Sequence, residues 1–175
     1  MKKIINVSMT AIAILLCSQS IGQVSTAGRP SLSLGAEVGI PSGNLNTTQK
    51  LGLGGSLKAL FPLFEGGALT VSAGYVSFSG DETGSFKYPA LNFIPFKAGL
   101  RYNLTPGGVY LEPQLGYTSI ATQNSNTSAT GGFTYAGNLG VLLQALDLSV
   151  RYEAVSRNGH TLPFLGLRGA YNFKL

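Results

Sequence analysis

Charge is scarce in this chain. Only 11% of its 175 residues are Asp, Glu, Lys or Arg, against 44% hydrophobic residues and 24 glycines. So thin a complement does not cover an ordinary water-facing surface, where roughly a quarter to a third of positions are charged. Histidine and cysteine occur once each. Cys17 lies in the first twenty residues, which leaves the rest of the chain without disulfide or thiol chemistry. One histidine and a single adjacent acidic pair, Asp81 and Glu82, make no metal-ligating set, so no metal and no cofactor is expected. Long apolar runs are missing too: after the first twenty residues nothing approaches the roughly 20 consecutive apolar residues of a helical membrane span. The glycine run GLGGS at 52–56 precedes no Lys-Ser/Thr and lies on a strand pattern, which excludes a phosphate loop.

The first residues differ from the rest. MKKIINVSMTAIAILLCSQSIGQ carries Lys2 and Lys3, a short apolar core and the small residues Ser20 and Gly22. This is the pattern of a secretory signal peptide over residues 1–22, with a short segment 23–30 before the main domain at 31–175. Leu16 before Cys17 is not the small residue that lipoprotein processing needs. Removal of 1–22 takes two lysines and no acid, so the net charge falls from +5 to +3 and no nucleic-acid partner is indicated.

From residue 31 on, apolar side chains recur at every second position about eight times. LDLSVRYEAV at 146–155 shows the pattern: Leu146, Leu148, Val150, Tyr152 and Ala154 alternate with Asp147, Ser149, Arg151 and Glu153. Period two sorts side chains onto opposite faces of a strand. The same pattern predicts strands at 31–40, 51–61, 68–78, 94–104, 109–119, 133–143 and 164–175. The connections alternate as well. Long polar ones are predicted at 41–50, 79–91, 120–132 and 157–163, and short ones at PLFEGG, TPGG and Gln144–Ala145. Long loops at one end and tight turns at the other predict an all-β fold, an eight-stranded antiparallel up-and-down transmembrane β-barrel. Pro95 and Pro113 fall inside strands; a strand start or a bulge is expected to accommodate Pro95, and a bulge Pro113.

The polar face is mostly Gly, Ser, Thr and Asn, thin cover for a water-facing exterior, whereas the other face is nearly free of polar atoms. Aromatic residues on that apolar face sort by height: Phe61, Tyr102, Tyr171 and Phe173 toward the short turns, Tyr75, Tyr117, Phe133 and Tyr135 toward the long loops. Two aromatic girdles around an aliphatic band are the mark of a lipid-exposed barrel. A strand of about 10 residues at roughly 3.3 Å each, tilted about 40°, spans about 25 Å, the height of such a band. The polar face then points inward. Glu37, Lys58, Lys97, Arg101, Glu112, Asp147, Arg151, Glu153 and Arg168 form a lumen charge network of five positive and four negative groups, with Lys174 near the short-turn end. Eight strands enclose only enough room for side chains, so this polar interior is expected to be paired and filled rather than open. If Leu104 faces Val109 across TPGG, Arg101 stands opposite Glu112.

The segments IPFKAGLRYNL, VYLEPQLGY and LDLSVRYE, with the end AYNFKL, resemble the small outer-membrane β-barrel domain common in Bacteroidetes, similar in architecture to the OmpA/OmpX-like eight-stranded barrels. The resemblance spans the chain after its leader. It implies location in the cell outer membrane, the lipid bilayer as surroundings, and insertion by the outer-membrane assembly machinery, and it carries no catalytic residue. A lipid-modifying barrel enzyme needs a nucleophile and a histidine near the outer rim. Here His160 in SRNGHTLP has Ser156 near it, without the expected spacing and with no acid in that segment to orient the ring. A non-enzymatic structural or surface-interaction protein is the leading expectation, with a surface ligand met through loops 79–91 and 120–132. The alternative is a narrow, porin-like channel.

Overall fold

The computed structural model describes residues 28–83, 86–105, 108–122, 130–157 and 159–175. The proposed signal peptide at 1–22 and most of the segment 23–30 lie outside the described residues. Eight strands follow one another as β1 Ser31–Pro41, β2 Gln49–Phe64, β3 Gly67–Gly80, β4 Leu91–Asn103, β5 Val109–Thr122, β6 Thr130–Leu143, β7 Leu146–Arg157 and β8 His160–Lys174. Each pairs antiparallel with its neighbours in sequence, and β8 returns to pair with β1, closing the barrel. A 3-10 turn at Gly43–Leu45 interrupts the first long connection, and a two-residue ladder pairs Glu82–Thr83 with Phe86–Lys87 in the second.

Alternation sets the register, since a slip by one residue would turn every side chain to the opposite face. Along β7, Leu146, Leu148, Val150 and Tyr152 are exposed while Asp147, Ser149, Arg151 and Glu153 are buried. The strands run further toward the long-loop end than hydropathy predicts. β4 begins at Leu91 rather than 94, β6 at Thr130 rather than 133, and β5 continues to Thr122. The predicted long connection at 157–163 is instead a tight hairpin, with His160 paired to Arg157 and Thr161 to Ser156. PLFEGG is likewise mostly strand, and its turn is only Glu65 and Gly66. Above the apolar band the inward positions turn apolar (Leu91, Phe93, Ile120, Val155) and outward ones such as Asn92 and Ser156 turn polar, so the hydropathy pattern reverses while backbone pairing continues.

The two prolines are seated without bulges, contrary to expectation. The β3–β4 ladder runs Ala73↔Phe96 and then Val76↔Phe93 in one unbroken register, omitting the pairs at Pro95. The β4–β5 ladder does the same at Pro113, between Gly99↔Gln114 and Tyr102↔Leu111. A missing N–H costs one rung, while the flanking inward side chains hold the register. The register shifts occur instead between β2 and β3, at Gln49/Gly52 and Pro62/Phe64.

The interior has two layers, which corrects the expectation of a lumen polar throughout. Toward the long loops, Leu45, Val76, Phe78, Phe93, Ile120, Val155 and Phe164 form one buried apolar cluster. Its three phenylalanine rings meet edge to face, with centroids 5.1 Å (Phe78–Phe93), 5.2 Å (Phe78–Phe164) and 6.1 Å (Phe93–Phe164) apart. Phe78 fits because its neighbours lack side chains: a Cβ on Gly39 would lie 2.8 Å from the ring, and one on Gly52 2.6 Å. Leu45 is brought over the rings by the 3-10 turn, which is tied down by Ser42 N donating to Pro163 O at 3.0 Å. Truncation by Phe78→Ala is expected to cost about 3–5 kcal/mol through the cavity it leaves, measured by equilibrium unfolding of the refolded protein in detergent.

Candidate functional site in the barrel interior

Below the phenylalanines the interior is charged. All nine predicted lumen residues are buried, none more than 5% exposed. Their ion pairs trace one line of alternating sign. Lys97 pairs with Glu153, which lies 2.8 Å from Arg151. Arg151 holds Glu37 with both terminal nitrogens, at 2.8 and 3.2 Å. Glu37 lies 3.7 Å from Arg168, and Arg168 3.9 Å from Asp147. Asp147 is 2.9 Å from Arg101, Arg101 2.9 Å from Glu112, and Glu112 2.8 Å from Lys58. Each carboxylate is thus shared between two cations. The register is the one read from TPGG: Leu104 N donates to Val109 O at 2.8 Å, and Arg101 Nε reaches Glu112 at 2.9 Å.

Neutral groups complete the shell. Thr70 Oγ1 and Gln114 Nε2 donate to Glu112 at 3.0 and 2.6 Å, and Asn138 Nδ2 donates to the Glu112 carbonyl at 2.8 Å. Arg168 Nε donates to Ser56 Oγ at 2.9 Å, and its Nη2 to Ser33 Oγ at 3.0 Å. Tyr110, missed at the level of sequence, donates its hydroxyl to Asp147 at 2.5 Å and lies under the Arg101 guanidinium, 3.7 Å from its ring centroid. A signal for it existed. Tyr110 shares the parity of Glu112 and Gln114, as Phe78 shares that of inward Ser72 and Val76, yet a hydropathy reading sends aromatic residues outward.

The eight predicted girdle residues all lie on the outer face. Tyr75, Tyr102, Tyr117, Phe133, Tyr135, Tyr171 and Phe173 are exposed, and Phe61 is half-buried. Phe96, which the sequence reading left out of the girdles, pairs in register with Tyr117, and Tyr117 with Phe133, making one aromatic row across three strands. Tyr171 rests on Phe173 with centroids 4.8 Å apart. Lys174 is exposed at the short-turn end. His160 is exposed on the β7–β8 hairpin, and no hydrogen bond joins it to Ser156 among the described residues. Asp81 pairs with Lys50 at 2.9 Å, and its backbone N–H donates to Thr48 O at 2.9 Å. The first two long connections are therefore tied to each other.

No family model matches the chain, and no curated protein matches it either. Solved structures do. Ail, the attachment invasion locus protein of Yersinia pestis, superposes with a TM-score of 0.59 at 15% identity, over 85% of this chain and 100% of that one. The chain shares the fold of small outer-membrane barrels. Neisserial surface protein A matches with a TM-score of 0.60 at 14% identity, over 86% and 100% of the two chains. The N-terminal β-barrel domain of Pseudomonas aeruginosa OprF gives 0.57 at 15% identity, over 85% and 100%.

Removing the charge of Glu112 leaves the buried Lys58 without a carboxylate and Arg101 with Asp147 alone. Glu112→Gln is expected to cost about 3–5 kcal/mol, and adding Lys58→Met to it should recover part of that loss. Equilibrium unfolding of the two single variants and the double variant measures the coupling.

Proposed function

We propose that the chain is a non-enzymatic integral protein of the outer membrane, with a sealed barrel that acts as an envelope structural element or presents its long loops to a surface partner. One observation carries this reading: the barrel is inside out. Leu53, Phe96 and Leu115 on its outer face are each about 60% exposed, while Glu112, Asp147 and Glu153 inside it are completely buried. In water an apolar ring of that extent would drive association. In a bilayer it is the surface that lipid requires, and the closed ladder leaves no backbone group unpaired at an edge.

A leader at 1–22, insertion by the outer-membrane assembly machinery and kinship with the small barrels of Bacteroidetes belong to the same reading. They rest on the sequence segments that suggest them. The layered interior supports a plug rather than a pore, because phenylalanine rings cover one end and paired charges fill the rest. The non-enzymatic reading rests on Ser156 and His160 facing different partners across the hairpin, Thr161 and Arg157, and on the lack of a carboxylate between them in the chain. Residues 79–91 and 120–132 are the segments through which a surface ligand would be met.

Three measurements test this. In a planar lipid bilayer the refolded protein should give no conductance steps above background, whereas stable, reproducible steps would make it a narrow channel. Val150→Arg, in the middle of the apolar band, should cost about 2–4 kcal/mol of stability in lipid, and Ser79→Arg, at the long-loop end, about 0–1; equal costs would contradict a lipid-facing exterior. His160→Ala should leave the lipid A profile of expressing cells unchanged, and a changed profile would restore the enzyme reading.

A further inference from the structure

At the short-turn end the interior opens into a recess of about 340 Å³, walled by Leu60, Pro62, Ala68 and Leu142, with Arg101 at its floor. The buried apolar cluster that closes the opposite end has no counterpart here among the described residues. Gly28, the first described residue, is itself part of the wall. Its φ of +71° is a turn that glycine takes without strain, and a Cβ on it would lie 3.9 Å from Pro62 Cγ. Two residues on, Pro30 O accepts from Leu175 N at 3.0 Å. The approach to β1 is therefore held at the lip of the recess. Removal of a leader at 1–22 leaves five residues before this point, QVSTA at 23–27. Fully extended they reach at most about 17 Å, which keeps them beside the opening. Val24 is their one large apolar side chain, and none of the five is charged. The cut that frees Gln23 also gives it an ammonium group, and Glu65 on the recess wall is an exposed carboxylate with no ion pair among the described residues.

We propose that the recess is filled by residues 23–27 of the chain itself, with the Val24 side chain against Leu60, Pro62 and Leu142 and the Gln23 ammonium at Glu65. The segment is joined to the lip, so its docking is intramolecular and runs at an effective concentration in the millimolar range. A free solute has no such advantage. Both ends of the cylinder are then stoppered by the chain's own residues, phenylalanines at one and the start of the chain at the other. The proposal rests on the leader boundary given above, and it adds that the cut at that boundary creates the charge which seats the segment.

The test is backbone NMR relaxation on ¹⁵N-labelled protein, purified into detergent micelles from membranes of cells that express the whole chain. Intact mass gives the first residue. The amides of Val24 to Ala27 should have order parameters near those of the strands, about 0.85, where a free tail gives less than about 0.6. Val24→Asp should drop them to the free-tail range and leave the strands unchanged, and Glu65→Gln should lower that of Val24. Deleting 23–27 should shift the amide signals of Ala68 and Leu142, which lie across the recess from Gly28. Free-tail values in the wild type, or Ala68 and Leu142 signals unmoved by the deletion, would overturn the proposal. A mass showing a different cut that keeps Val24 would overturn the leader boundary and the pairing of Gln23 with Glu65, while the order parameters still decide whether the segment fills the recess. A cut that removes Val24 would overturn both.

Discussion

Nine charged groups share a narrow cylinder from which bulk water is shut out, and each of the four carboxylates in it is held between two cations. Much else in the fold follows from this constraint. A charge moved out of water costs several kcal/mol unless its partners are well placed, so the strands must hold inward side chains in fixed register. Small residues such as Ser33, Ser56, Thr70 and Ser72 fill many of the positions between the charges because eight strands enclose little more than the side chains themselves. Six of the eight strands contribute an ion to the line, while β3 and β6 supply Thr70, Ser72 and Asn138 as the neutral groups that complete it. The apolar exterior is the other half of the same partition: once polar groups are gathered inside, the outward positions are left to Leu, Val and aromatic residues.

The two ends of the cylinder are finished differently. At the long-loop end, seven buried apolar residues close the interior, and the first connection folds Leu45 over them. At the short-turn end, Arg101 lies at the bottom of a recess of about 340 Å³ whose walls include Leu60, Pro62 and Leu142. The guanidinium is already committed to Glu112 and Asp147 and stacked on Tyr110, which makes it a structural floor for that recess. The asymmetry follows from composition along each strand. On β3, Thr70 and Ser72 face inward near the short turns, and Val76 and Phe78 face inward near the long loops.

Much of this was legible in the sequence, for a physical reason. Period-two alternation in a closed barrel assigns every side chain to one of two environments, so Asp147, Arg151 and Glu153 could be placed from LDLSVRYEAV alone, and eight recurrences of the pattern gave the number of strands. Three things were not legible. Toward the long loops inward residues such as Phe93, Ile120 and Val155 are apolar and outward ones such as Asn92 and Ser156 polar, so the alternation reverses and hydropathy takes these ends for loop although the backbone keeps pairing. Phe78, Phe93 and Phe164 point inward, and an apolar residue at an inward position gives no local sign of which layer it fills. The pairing of distant charges, such as Arg151 with Glu37 or Lys97 with Glu153, depends on how side chains cross the cylinder, which strand order alone does not determine.

The meeting of β1 with β8 places Glu37 opposite Arg168, so the link between the halves of the charge line forms across the seam where the chain's first and last strands join. Sealing the cylinder and completing its electrostatics are therefore a single event. A sheet without β8 would hold Glu37 and Asp147 without the arginine that lies between them, and would carry those half-matched charges beside an open edge. The strand that closes the ladder is thus also the one that joins the two halves of the charge line.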